Sequence, residues 1–311
     1  MSLATKILER QQPEPIPRPS WSYKEAFSRN LGILTQADQD QLRNSHVAIA
    51  GMGGVGGVHL ITLVRLGIGN FSIADPDYFE AANFNRQYGA KIASIGRSKV
   101  EVMAEEAKAI NPDVKIRIFS ESISPDNVAD FLDGADVFVD GVDFFAHDAR
   151  RLLFQEARQR GQWAITAGPH AFSAAWIIFD PKGMSFDSYF DIHDGMSNDQ
   201  KLVAFAVGCV PSAIHLKYLN LDEFFRPGQK HGASLGLACQ LASGIVGAEV
   251  TRIVLGRPGT KAAPWYFQFD AYRGLLRKSW LWGGNRHPWQ RLKRWWLHKK
   301  MTGQSEALSR V

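Results

Sequence analysis

The sequence predicts an α/β domain built on a doubly wound, mostly parallel sheet with helices on both faces. Three observations carry this. Short apolar runs alternate with helix-forming stretches from His46 to Thr166. A glycine cluster, Gly51-Met-Gly53-Gly54-Val-Gly56-Gly57, separates the first apolar run from the first helical stretch. Asp75 closes the second run, at the roughly 20-residue distance where an acidic strand end meets a ribose in dinucleotide-binding units.

Residues 1–20 are polar and proline-rich and read as a draped or flexible arm. Ser20 to Asn44 is helical in part. His46-Val-Ala-Ile-Ala50 reads as a buried strand, His59 to Leu66 as a helix and Phe71 to Asp75 as a second strand. Lys99 to Ile110 is rich in helix formers and stops at Asn111-Pro112. Val114 to Phe119 alternates like a strand. Val128 to Leu132 is a short helix, Val137 to Asp140 a buried strand, Arg150 to Arg160 a helix and Trp163 to Thr166 a strand. Ala174 to Phe179 continues the sheet. Asp187 to Gln200 is polar without a period and is expected as a loop, followed by helices over Lys201 to Tyr218 and Ser234 to Leu255. Trp265 to Ala271 is a late strand. The domain is expected over 21–271, with a basic, Trp-rich tail over 272–311.

The chain has 311 residues, enough for a sizeable core. Its two cysteines, Cys209 and Cys239, lack metal-ligand spacing, so no structural zinc is expected. A reducing, cytoplasmic setting suits them. The proline-rich start has no apolar run after its basic residues, unlike a signal peptide. Of 36 Lys and Arg, nine fall between Ala271 and Ser305, where no acidic residue occurs; 27 basic residues then face 31 acidic ones elsewhere. The body is mildly acidic, and any contact with a polyanion belongs to the tail.

Gly51, Gly53 and Gly56 have the G-x-G-x-x-G spacing of a Rossmann-type phosphate loop. The first glycine allows the tight turn, the second lets phosphate approach the backbone, and the third lets helix and strand pack. Phosphate then meets the unpaired amides of the helix start. Arg86 and Lys99 add cations beyond what a dinucleotide needs. A triphosphate that loses pyrophosphate requires such charges and a metal.

The run Ala82-Asn83-Phe-Asn85-Arg86-Gln87, with Gly96-Arg-Ser-Lys99 after it, resembles the signature of the ThiF/MoeB/HesA family of ubiquitin-activating-enzyme-like adenylyltransferases. Phe27-Ser28-Arg29 is similar to that family's arginine segment, and Val139-Asp140-Gly-Val-Asp143 to its strand-end Asp-x-x-Asp. The resemblance covers about Trp21 to Gly256. It implies an ATP-dependent adenylyltransferase that activates a carboxylate, above all the C-terminal glycine of a ubiquitin-like or sulfur-carrier protein, and releases pyrophosphate. It implies that Gly51, Gly53, Gly54 and Gly56 cradle phosphate, that Asp75 holds the ribose, and that Asn83, Arg86 and Lys99 bind phosphates. Arg29 would enter from the partner of a homodimer, and Asp143 would coordinate Mg²⁺. The chain departs from the pattern at Phe144, which stands where an Asn is usual, at Arg150 and Arg151, which come late, and in lacking paired-cysteine zinc sites. The missing zinc sites put a MoeB-like or ThiF-like substrate in question, while Phe144 and the late arginines favour a scaffold with a degenerate site. A tRNA threonylcarbamoyladenosine dehydratase-like activity, a nucleotide-binding scaffold and an NAD-dependent oxidoreductase are the alternatives, the last opposed by Arg86, Lys99 and Asp143.

For thioester chemistry Cys209, near the polar loop and Pro211, is the better-placed thiol. Cys239 reads as buried in a helix, and a packing role is the expectation for both. His170, His193 and His215 have no ligand spacing. In the tail, Trp289, Leu292 and Trp296 fall at i, i+3 and i+7 among Arg291, Lys293, Arg294 and Lys299. Residues 280–300 are expected to be dispensable for ATP binding and to dock on the protein's own body, on tRNA, on an anionic membrane or on a partner protein.

Overall fold

The computed structural model describes residues 20–219 and 233–308. Of the arm expected over 1–20, residues 1–19 lie outside the described residues. The described residues form an eight-stranded sheet in the order β3-β2-β1-β4-β5-β6-β7-β8. Its strands are β1 (His46–Ala50), β2 (Asn70–Ala74), β3 (Lys115–Phe119), β4 (Val137–Asp140), β5 (Trp163–His170), β6 (Ser173–Phe179), β7 (Trp265–Asp270) and β8 (Leu275–Trp280). The first five pair in parallel. The last three add antiparallel. The order reverses between β1 and β4, so a crevice opens at their carboxyl ends, where doubly wound sheets take ligands.

Alternation sends side chains to two cores. Ile165, Ala167, Trp176 and Phe267 pack toward one face together with α3 (Gly56–Arg65), α4 (Lys99–Ile110) and α9 (Gly236–Val254). Ala164, Ile177, Phe179 and Tyr266 pack toward the other with α5 (Val128–Leu132), α6 (His147–Gln159), α7 (Phe186–Phe190) and α8 (Asn198–Cys209). Two helices precede the sheet, α1 (Tyr23–Ala26) and α2 (Gln36–Asn44), and α10 (Pro288–Leu308) closes the described chain. α9 is long and apolar enough to cross a membrane. It lies instead against β5 and α3, with Ala238, Ala242, Val246 and Val250 fully buried at four-residue spacing. Gly247 lets it approach Thr62 of α3 and Leu66 just past its end.

The structure corrects three readings. Half of the stretch expected as a loop over Asp187 to Gln200 lies in α7 and the start of α8, with 191–197 left as the connection between them. Ser185 caps α7 by accepting the Ser188 amide, and Ser197 and Gln200 form a capping box on α8. The single helix expected over Lys201 to Tyr218 ends at Cys209, because Pro211 has no amide to donate and restrains Val210. A short 3₁₀ turn, Ile214–Lys217, follows. Residues 275–280, read as tail, form β8 and pair with β7. The segment after it is anchored too, since Asn285 is fully buried and donates to Phe190 O and Ala204 O.

Candidate active site

The crevice is built by glycines. Gly51 turns at φ +90°, and a Cβ there would stand 2.0 Å from Gly141 O. A Cβ on Gly56 would stand 1.7 Å from Gly51 O. The loop therefore closes on itself and on the β4 end only without side chains at these two positions. Gly53 faces more open space, with the Gln87 amide 3.6 Å from where its Cβ would lie. The Gly53, Gly54 and Val55 amides donate to no backbone carbonyl among the described residues and precede the start of α3. Gln87 is buried beside the loop, and its Oε1 has no partner among the described residues. This arrangement suits an anion seated on the helix start.

Asp75 follows β2 and is 6% exposed. Its Oδ2 accepts the Met52 amide at 2.6 Å and its Oδ1 the Asp77 amide at 2.8 Å. Burial pushes its carboxyl above the usual range, opposed by nearby Lys99 and the two amides. Lys99 opens α4, is buried, and sends Nζ to Asp77 Oδ2 at 2.9 Å. Arg86 lies beside the loop. Its methylenes come 3.7 Å from a Cβ placed on Gly54, and Nη1 donates to Ala82 O and Asn85 Oδ1 at 2.9 Å each. Asn83, 8% exposed, accepts the Glu80 amide at 3.0 Å and so fixes the turn that carries Arg86.

At the β4 end, Asp140 is engaged by Arg150, Nε to Oδ2 at 2.9 Å. Asp143 is exposed, and its Oδ1 accepts the Phe145 amide at 2.9 Å. The loop thus brings Asp75, Asn83, Arg86 and Lys99 together, with Asp143 on the neighbouring loop that begins at Gly141. Arg29 is not among them. It is exposed, and its segment is tied to the far end of α3, where Asn30 donates to Leu66 O at 3.3 Å and Tyr23 to Gly67 O. A ten-residue helix separates that end from the loop by about 15 Å.

Both cysteines are buried, in keeping with packing roles, but they stand differently toward the crevice. Cys209 is buried among apolar side chains, which push its thiol far up. Cys239 abuts the site: its Sγ is 3.4 Å from a Cβ placed on Gly54, and Arg86 opposes the upward push that burial exerts on its thiol. Asp77, Gln87, Arg150 and Cys239 complete the surroundings. Gln87 stands inside the motif and Asp77 two residues past the strand end; Asp140 and Arg150 are each marked in sequence but not as a pair, and nothing in sequence spacing places Cys239 at the site.

Known proteins resemble the chain in sequence or in fold. The tRNA threonylcarbamoyladenosine dehydratase of Haemophilus influenzae is 37% identical over 123 residues, 39% of this chain and 47% of that protein. A probable adenylyltransferase/sulfurtransferase, MoeZ of Mycobacterium tuberculosis, is 28% identical over 236 residues, 74% of this chain and 53% of that protein. The chain thus spans about half the length of these relatives. The crystal structure of PaaA has the same fold, with a TM-score of 0.63 at 19% identity, covering 89% of this chain and 79% of that one. The model of the ThiF family matches residues 27–285, which takes in every residue of the crevice, and the chain belongs to that family.

Proposed function

We propose that the chain binds ATP over the glycine loop and transfers its adenylyl group to a substrate carboxylate. One observation supports the reading: two cationic side chains, Arg86 and Lys99, stand near a glycine loop whose Gly53, Gly54 and Val55 amides are open, and buried Asp75 at the end of β2 is the residue a ribose would meet. A carboxylate oxygen attacks the α-phosphorus, the bond to the β-phosphate oxygen breaks, and pyrophosphate leaves with its electron pair. The attacking oxygen is ionised at neutral pH, so the protein needs to position and neutralise charge rather than supply a nucleophile.

Asp143 suits Mg²⁺. It is exposed at the β4 end, while Asp140 is neutralised by Arg150. Magnesium is commonly held by one or two carboxylates together with phosphates and water, so no preformed cluster is required. Among the described residues no group of three metal-binding side chains occurs. The substrate class we favour is the C-terminal glycine of a small ubiquitin-like or sulfur-carrier protein, supported by the adenylyltransferase/sulfurtransferase name of MoeZ. A homodimer is supported by exposed Ile33, Phe84, Ile92 and Leu237 and by the remoteness of Arg29 from its own loop. The dehydratase relative supports a second reading, in which the activated group lies on tRNA.

Calorimetric titration with ATP and Mg²⁺, and with NAD, tests the first step; pyrophosphate exchange over carrier proteins and tRNA tests the second. Tight ATP binding with weak NAD binding is expected. Comparable affinity for NAD, or none for ATP, overturns the reading.

A further inference from the structure

The last helix, α10, has two faces of different fate. Gln290 and Leu297 are buried; Gln290 donates to Val207 O at 3.2 Å, and Leu297 packs with Val203 and Val207 of α8. Lys293 donates to Pro211 O and Arg294 to Asp191. These positions fall at i, i+3, i+4 and i+7, so this stripe fixes the helix to the body. The opposite stripe is large, apolar and turned outward: Trp289 is 67% exposed, Leu292 50%, Trp295 60% and Trp296 48%. Folding leaves these side chains in water although the same helix is already docked, which marks the stripe as a surface for something outside the domain.

We propose that this face lies on an anionic lipid surface, with the indoles at headgroup level and Leu292 directed toward the acyl chains. Charge selects an anion: Arg291 is exposed beside the stripe, Lys299 rises among its residues, and no acidic residue occurs between Ala271 and Ser305 while the rest of the chain is net acidic. Two features favour lipid over nucleic acid. Leu292, central in the stripe, offers no ring for a base to stack on. Lys299 and Lys300 lie 5.4 Å and 5.9 Å from the ring centres of Trp295 and Trp296, over faces a base would need. The helix is held rigid by its inner stripe, so it would lie in the plane of the surface without folding on arrival. The crevice would then work beside a membrane, whatever carboxylate it activates.

The full chain is mixed with vesicles of phosphatidylcholine containing phosphatidylglycerol, with vesicles of phosphatidylcholine alone, and with tRNA, at low and moderate salt. Co-sedimentation with the anionic vesicles is expected, together with a shift of tryptophan emission to shorter wavelength. Joint Trp289→Ser and Trp296→Ser substitution should weaken vesicle binding about tenfold or more while leaving thermal unfolding and ATP binding unchanged, because both side chains are exposed. Arg291→Glu should weaken it too, and salt should reduce it. Failure to bind anionic vesicles at low salt overturns the proposal. So does tRNA binding without vesicle binding, or self-association that the tryptophan substitutions abolish while vesicles remain unbound. ATP binding is read separately, so loss of the nucleotide reading leaves this test intact.

Discussion

Arg150 and Asp140 form an ion pair inside the protein, 3% and 2% exposed, that holds the loop after β4 in place. Arg150 Nη2 donates to Val142 O at 2.5 Å and to Asp143 O at 3.1 Å, and its guanidinium lies 4.3 Å from the Phe205 ring centre. The pair therefore positions the backbone of Asp143. Arg150→Met should destabilise the fold by about 3–5 kcal/mol, because Asp140 stays buried without its counter-charge. Adding Asp140→Leu should recover much of that loss in urea unfolding. A double variant as unstable as the single would place the loss in the loop carbonyls instead.

Lys99 is paired at rest with Asp77, whose side chain is 65% exposed. So exposed a partner contributes about 0–1 kcal/mol and is readily given up to a phosphate. Lys99→Ala and Arg86→Ala should each slow adenylation about a hundredfold, roughly 3 kcal/mol, with circular dichroism unchanged. Asp77→Ala should change the rate by no more than about threefold. Normal turnover by both cation variants would show that the phosphates are held elsewhere.

Arg29 projects from a turn tied to the far end of α3. If it completes the site of a second copy, Arg29→Ala and Asp143→Ala homodimers should both be inactive. Mixing them should restore activity through heterodimers in which one site keeps both residues. Sedimentation as a monomer under assay conditions would exclude this arrangement.

The parts of the fold legible in sequence are those whose pattern is local. Strand β1, the glycines and α4 each state their period and their ends within a few residues. α7 was illegible because Phe186, Tyr189 and Phe190 are all buried, which erases the polar face that marks a helix. β8 was illegible because, as an edge strand exposed at five of six positions, it carries no alternation. The same distinction runs through the site. Asp75, Arg86 and Lys99 lie close to the loop in sequence. Cys239 reaches Gly54 only because Gly236, whose Cβ would stand 2.7 Å from Asn85 O, lets α9 begin against the Arg86 turn.

Five histidines give the stability a pH dependence, His46 among them, lowered by burial and by Arg117. Burial lowers His59 and His170 to about 3, and His147 and His215 to about 4. The unfolded chain takes up these protons near pH 6.5, whereas the folded chain does so only near 3–4. Stability contributed by the neutral rings is therefore present above about 6.5 and is lost as pH falls through that window. Asp75 and Glu249, raised by burial, act in the opposite sense. The thermal midpoint should fall between pH 7 and pH 5. His59→Gln, which keeps a polar partner for Ser243 Oγ, should flatten that slope. A midpoint unchanged across the range would contradict the assignment.

Asn285 decides where the domain ends. Its Nδ2 donates to Phe190 O at 2.9 Å and Ala204 O at 2.7 Å, clamping α7 to α8. Gly284 beside it lies so close to the backbone that a Cβ would stand 2.3 Å from Tyr189 O. Leu281, between this turn and β8, is buried in the core shared with Phe179 and Tyr266. A chain ending before Trp280 loses the end of β8, Leu281 and the clamp together, so it should unfold at far lower urea than the full chain. A chain ending after His287 keeps all three and loses only α10. It should stay folded, with a smaller loss from uncovering Val203 and Val207. Asn285→Ala should fall between them, at roughly 2 kcal/mol, because its loss deprives two buried carbonyls of a donor. Equal stability of the two truncated chains would place the structural boundary before β8 ends.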